Sequence, residues 1–235
     1  MPVERPGQAV SSRSEVDAFL DTVRSMPGSS AAGRRGRLIF ALDATASRRP
    51  TWDRACHIQA EMFHETASLG GLDVQLVFYR GFRECKSSKW HSDPAALGRV
   101  MTGVACLGGQ TQIGKVLSHA KAETGKRKVD ALIFVGDAFE EDIDAVCHIA
   151  GELGVLGVPA FMFHEGGNPI VAGAFREIAR LSGGAYCPFD AASADRLKDL
   201  LAAVAVYAAG GRKALADYGN RRGEAVKLLT SQMRR

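Results

Sequence analysis

The chain has 235 residues, enough for one sizeable α/β domain with appendages. Its 46% hydrophobic and 24% charged content is that of a soluble globular protein, and a net charge of +4 neither demands nor excludes nucleic acid. Five cysteines, odd in number and with no CxxC pair, argue against a disulfide framework or a thiolate zinc site.

The N-terminus, "MPVERPGQAVSSRSE", lacks the apolar core of a signal peptide. The longest apolar run, Leu200 to Ala209, falls short of the ~20 residues that cross a bilayer. No membrane attachment is expected, and a cytoplasmic location follows as the default. Residues Ser14 to Met26 read as an amphipathic helix, with Val16, Phe19, Leu20 and Val23 on one face and a capping-box-like Ser14/Asp17 start. "PGSSAAGRRGR" then reads as a linker, so 1–36 form a helix and linker ahead of the main domain.

From 37 to 209 strands and helices alternate. "RLIFAL" is a strand. The helix "PTWDRACHIQAEMFHETASLGG" follows, with Ala55, Ile58, Met62, Thr66 and Leu69 inward. Pro50 suits its first turn and Gly70-Gly71 its end. "VQLVFY" is a second strand. The polar "ECKSSKWH" suits an exposed edge strand, running antiparallel. Helices are expected over Pro94 to Ala105 and Gln112 to Glu123. "ALIFVGD", "PAFMFHE" and "AYCPF" are further strands, separated by helices over "EDIDAVCHIAGEL" and "VAGAFREIARLSGG". A closing helix, "SADRLKDLLAAVAVYAA", has Ser193 as its cap. The basic tail, 210–235, is weakly periodic and reads either as a helix on a partner or as a mobile end.

The strongest strands are continuously apolar, as strands buried on both faces are. The fold expected is therefore α/β: a Rossmann-like, doubly wound, mostly parallel sheet flanked by helices, with one antiparallel edge strand. In such sheets ligands bind beyond the carboxyl ends of the strands, where strand order reverses. Asp43 closes the first strand in "LDATAS", and Asp137 closes a later one in "LIFVGD". Thr111, after Gly108-Gly109, stands at the mouth of a helix, where glycines let backbone approach a ligand. Each has a plainer account, as a turn residue or a helix cap. Together with Thr45 and Ser47 they form an all-oxygen set with few carboxylates, which suits a hard divalent ion, Mg²⁺ best, with Mn²⁺ or Ca²⁺ as substitutes.

These segments, "DATAS", "GGQTQI" and "VGD", resemble the metal-ion-dependent adhesion site (MIDAS) of von Willebrand factor A domains, and element order over 37–209 resembles that fold. The resemblance implies Ser47 and the Thr45 hydroxyl as direct ligands. It implies Thr111 directly or through water, and Asp43 and Asp137 largely through water. It further implies a binding module rather than an enzyme, whose ion takes an acidic side chain from a partner protein, here in complex assembly or a chaperone-like role. Two departures stand out. Thr45 replaces the usual first serine, and "RRP" follows Ser47 where glycine and a bulky apolar residue are frequent, which should remodel the site mouth.

A rim of Trp52, Arg48, Arg49, Arg80, Arg83, His164 and Glu165 is expected from the loops at the same edge, unless Trp52 seats the first helix and the arginines are simply solvated. Glu140, Glu141 and Asp142 read as acids at the start of their own helix. No basic–aromatic interleaving points to nucleic acid. A second resemblance, to haloacid-dehalogenase-type phosphotransferases, would make Asp43 a nucleophile, with Asp137 and Asp142 on Mg²⁺. Thr45 then stands where most of those enzymes carry a second aspartate.

Overall fold

A computed structural model describes residues 35–49, 71–189 and 198–211, together with Thr22, Trp52, Asp53, Cys56, His64, Ala214, Leu215, Asp217 and Tyr218. The inward face expected for the first helix (Ala55, Ile58, Met62, Thr66, Leu69), Pro50, the cap Ser193, and most of the N-terminal helix and basic tail lie outside the described residues.

Six strands form one sheet: β1 (Gly36–Asp43), β2 (Leu72–Arg80), β3 (Glu84–His91), β4 (Ala131–Gly136), β5 (Ala160–Glu165) and β6 (Tyr186–Phe189). Their order is β3-β2-β1-β4-β5-β6. All neighbours run parallel except β2 and β3. The polar β3 is thus an edge strand, as its composition requires, and the three-residue connection from β2 makes it antiparallel. Helices α1 (Pro94–Thr102), α2 (Ile113–Lys126), α3 (Ile143–Val155), α4 (Pro169–Ser182) and α5 (198–211) connect and cover the sheet. Trp52, Asp53, Cys56 and His64 are helical and lie between β1 and β2. Helix α1 ends three residues before the expected Ala105, because the Gly103 N–H turns back onto the carbonyls of Val100 and Met101. No helix among the described residues is long and apolar enough to cross a membrane.

The apolar strands feed two cores, one on each face. Alternate β1 residues divide between them, as a strand's two-residue period dictates. Leu38, Phe40 and Leu42 pack with α1, α5 and Trp52. Ile39 and Ala41 pack with α2, α3 and α4. At Gly36 a Cβ would stand 2.4 Å from the Ala208 carbonyl oxygen, so α5 sits directly on the start of β1. Continuous burial of β1 and β4 needs helices on both sides, and the two cores supply them.

Strand order reverses between β1 and β4. The chain moves from β1 outward through β2 to β3, then returns to β4 on the other flank. The carboxyl ends of β1 and β4 therefore border the crevice where ligands bind in this class of sheet.

Candidate metal centre

Asp43 ends β1 and is only 2% exposed. Its Oδ1 accepts the Thr45 N–H at 2.7 Å, and its Oδ2 accepts the Tyr79 hydroxyl at 3.0 Å. Burial, with the charge of Asp137 adding to it, raises the Asp43 carboxyl above its ordinary pKa against those hydrogen bonds. Burial first, then the Asp43 charge, drive the Tyr79 phenol well upward, so it remains a donor.

The chain leaves β1 through a single turn of 3₁₀ helix, Ala46–Arg48. That turn folds the two hydroxyls back over the strand end. Thr45 Oγ1 and Ser47 Oγ lie 3.4 Å apart, and the Ser47 hydroxyl donates to Asp137 Oδ2 at 3.1 Å. Asp43, Thr45, Ser47 and Asp137 thus form one connected chain of polar contacts across the β1–β4 crevice.

Thr111 reaches the same edge by a different route. The loop between α1 and α2 is pinned to the sheet by Leu107 N–H to the Ala44 carbonyl (3.0 Å) and Gln110 N–H to the Gly81 carbonyl (3.1 Å). Gly109 allows this crossing: a Cβ there would stand 2.1 Å from the Gly81 carbonyl oxygen. The glycine expected to approach a ligand instead approaches backbone, because the loop must pass over the exit of β2. The Thr111 hydroxyl does not cap its own helix either. It accepts the Glu140 N–H at 2.9 Å, while Thr111 N–H donates to Glu140 Oε2 at 3.1 Å. This reciprocal pair ties Thr111 to the loop that carries Asp137.

Of the neighbouring acids, Glu140 and Glu141 depart from expectation, while Asp142 caps its own helix as expected. Glu141 accepts from the N–H groups of Ile113 (2.5 Å) and Gly114 (2.9 Å), so it caps α2 rather than its own helix. Asp142 caps α3, its Oδ1 accepting the Ala145 N–H at 2.8 Å. Both use carboxylate charge at a helix start, where backbone N–H groups are otherwise unpaired. The sequence places all three acids before α3; the folding of the α1–α2 loop brings a second helix start within reach of two of them.

Of the expected rim, several residues are interior. Trp52 is 3% exposed, donates its indole N–H to the Met101 carbonyl at 3.0 Å and meets Phe78 edge-on. Trp52 is therefore a core residue and not part of a rim. His164 is 1% exposed, contacts the Tyr186 hydroxyl through Nδ1 at 3.0 Å and packs against Phe175; burial lowers its pKa. Arg80 pairs with Glu84 and donates to the Ala105 carbonyl at 2.6 Å. Arg49 and Arg83 are exposed. Arg48 is neither rim nor solvated: its side chain is 3% exposed and its Nη1 contacts Glu165 Oε2 and lies 3.9 Å from Asp137 Oδ2. Periodicity could not reveal this, since the pairing depends on β5 lying beside β4.

The five cysteines are free, and burial raises four of them, Cys56 and Cys85 to about 11, so they behave as packing residues rather than thiolates.

No protein-family model and no curated protein matches this sequence. Solved structures do, 153 chains in all. The chain is similar to the SpRpn10 VWA domain, with 11% identity, a TM-score of 0.55, and 76% of this chain and 98% of that one covered. The fold is that of a von Willebrand factor A domain. A VWA domain is likewise the match in the type V pili tip protein Mfa5 from Porphyromonas gingivalis (10% identity, TM-score 0.61, 76% and 97% covered). Proximal thread matrix protein 1 from the mussel byssus, described with a zinc-occupied MIDAS motif, matches at 14% identity and TM-score 0.59; 76% of this chain and 48% of that one are covered. The match thus spans nearly all of the two isolated VWA domains and about half of the mussel protein.

Asp43, Thr45, Ser47, Thr111 and Asp137 therefore sit on the edge of the VWA sheet where its strand order reverses. Among the described residues no cluster of three or more histidine, cysteine, aspartate or glutamate side chains is arranged to hold a metal. An ion here would draw on hydroxyl oxygens beside the carboxylates. The donor set meets that demand: two carboxylates supply charge, and three hydroxyls supply uncharged hard oxygen, which fits Mg²⁺ or a similar divalent ion.

Proposed function

We propose that this chain is a divalent-metal-dependent protein-interaction module of VWA type, and not an enzyme. Ser47 and Thr45 would hold Mg²⁺ directly, Thr111 directly or through water, and Asp43 and Asp137 largely through water. The ion, when bound, supplies an electrophilic position able to take a carboxylate from a partner protein. The residues of this chain do the rest. Tyr79 and the Thr45 N–H orient Asp43. The Glu140 backbone orients Thr111. The short turn after β1 holds both hydroxyls over the crevice. The module is read as 37–209, with the flanking segments, 1–36 and 210–235, as appendages, acting in the cytoplasm in complex assembly or a chaperone-like role.

The observation that carries this reading is the connected set Asp43–Thr45–Ser47–Asp137 across the switch point. A plain turn needs no hydroxyl bridging two strand ends 90 residues apart in sequence. Titration of Mg²⁺ and Mn²⁺ followed by heat and melting temperature tests it. The wild type should bind at one site and Asp43→Ala should not; equal binding by both sinks the proposal. A pull-down from cell extract should then hold a partner with metal present, and lose it with chelator or in Thr111→Ala.

A further inference from the structure

The turn that carries the hydroxyl ligands also carries Arg48, buried among acids. Its guanidinium contacts Glu165 at the end of β5 and stands 3.9 Å from Asp137 Oδ2, the oxygen to which Ser47 donates. Glu165 is itself largely covered, its side chain 17% exposed. Arg48 Nε is buried and has no hydrogen-bond partner among the described residues. An arginine fork in a site built for it would use its remaining donor. Here the guanidinium is held by its direct contact with Glu165 and by the nearby charge of Asp137, with Nε left over.

The charges at this corner can be summed. Asp43, Asp137 and Glu165 bring three negative charges, and Arg48 brings one positive. Two negative charges remain, the charge one divalent ion neutralises. Without Arg48 there would be three acids on adjacent strand ends, and Glu165 would be a further carboxylate for the ion. A third carboxylate tightens metal binding but lowers the ion's appetite for a carboxylate from outside.

We infer that Arg48 is an internal cation that withholds Glu165 from the metal site and thereby sets its affinity. It is a positioning residue: it acts on the ion through Glu165 and Asp137. This rests on the reading of the site as a metal centre, and it assigns to Arg48 and Glu165 a role beyond the five ligands.

The test is a charge cycle at constant ionic strength, with Mn²⁺ as probe and calorimetry and water-proton relaxation as readouts. Arg48→Met leaves a corner charge of minus three and should bind Mn²⁺ about tenfold tighter than wild type, since one nearby charge changes in a partly buried site. Its bound Mn²⁺ should relax fewer waters, because Glu165 takes a coordination position. Glu165→Gln leaves minus one and should bind about tenfold more weakly. The double variant returns to minus two, should bind like wild type, and should recover the wild-type water relaxation, because no Glu165 carboxylate remains to take a coordination position; fewer relaxed waters in the double variant, as in Arg48→Met, would overturn the role given to Glu165. Equal affinity in wild type and Arg48→Met overturns the inference while leaving the metal site standing. Absence of Mn²⁺ binding in wild type and all three variants overturns both. Binding by Arg48→Met but not by wild type supports the inference in its strongest form. If Arg48→Met does not fold, Glu165→Gln decides: affinity unchanged from wild type overturns the proposal.

Discussion

Strand β1 has a buried arginine at each end, and the two are held in different ways. Arg37, at its start, is 4% exposed. Its guanidinium donates to the carbonyls of Arg127 and Lys128, pairs with Glu123 at 3.5 Å and stacks on Trp90 at 3.8 Å. Two backbone carbonyls, a ring face and one carboxylate surround it. Arg48, just past the other end, is as deeply buried but its ion-pair partners among the described residues are the carboxylates of Glu165 and Asp137, with Nε unpaired. A buried charge satisfied by carbonyls and an aromatic face is a fixed joint. One balanced only by acids can be shared with another cation. The difference accords with the carboxyl edge of the sheet as the metal-binding end proposed above.

The largest effect should come from the fixed joint. Arg37→Ala leaves Glu123 and two carbonyls short of a partner in the interior, and should destabilise the protein by about 3–5 kcal/mol in chemical denaturation. Its Mn²⁺ affinity, if it folds, should equal that of wild type. A large change in metal binding would erase the contrast between the two ends.

Next is metal-linked stability. With Mg²⁺ at about 100 times its dissociation constant, the wild type should gain about 2.7 kcal/mol, seen as a rise in melting temperature. Asp43→Ala should gain nothing, and Arg37→Lys should gain as much as wild type. Stabilisation of Asp43→Ala would move the ion elsewhere.

The acids beside the site sharpen the same contrast. Glu141→Ala strips the carboxylate from two N–H groups that open α2, and should cost about 1–2 kcal/mol. Asp142→Ala removes the cap of α3 at about 1 kcal/mol. Neither should shift the Mn²⁺ dissociation constant, because both carboxylates are matched by backbone amides. A weakened Mn²⁺ site in Asp142→Ala would instead favour the phosphotransferase-like pairing of Asp137 with Asp142.

Much of the architecture was legible residue by residue. Unbroken apolar runs at Leu38–Leu42 and Ala131–Val135 demanded burial on both faces, and the polar Glu84–His91 demanded an edge. Asp43 and Asp137, each ending such a run, had to lie at strand carboxyl ends. What could not be read was who stands beside whom across strands. Glu141 looked like an acid for its own helix and serves another. His164 looked like a rim residue because it precedes a turn, yet its side chain faces inward against Phe175. Gly109 looked like a ligand-facing glycine and instead makes room for the backbone of Gly81.

The sequence by itself determined the layered α/β class, the polar edge strand and the alternation of oxygens in "DATAS", because strand period and burial are local properties of residue type. Only the tertiary structure decided that β4 lies between β1 and β5, so that one guanidinium from the turn after β1 meets Asp137 and Glu165 at once. Strand adjacency is set by which helices can cover both faces together. The charge balance at the carboxyl edge is therefore a property of the assembled sheet.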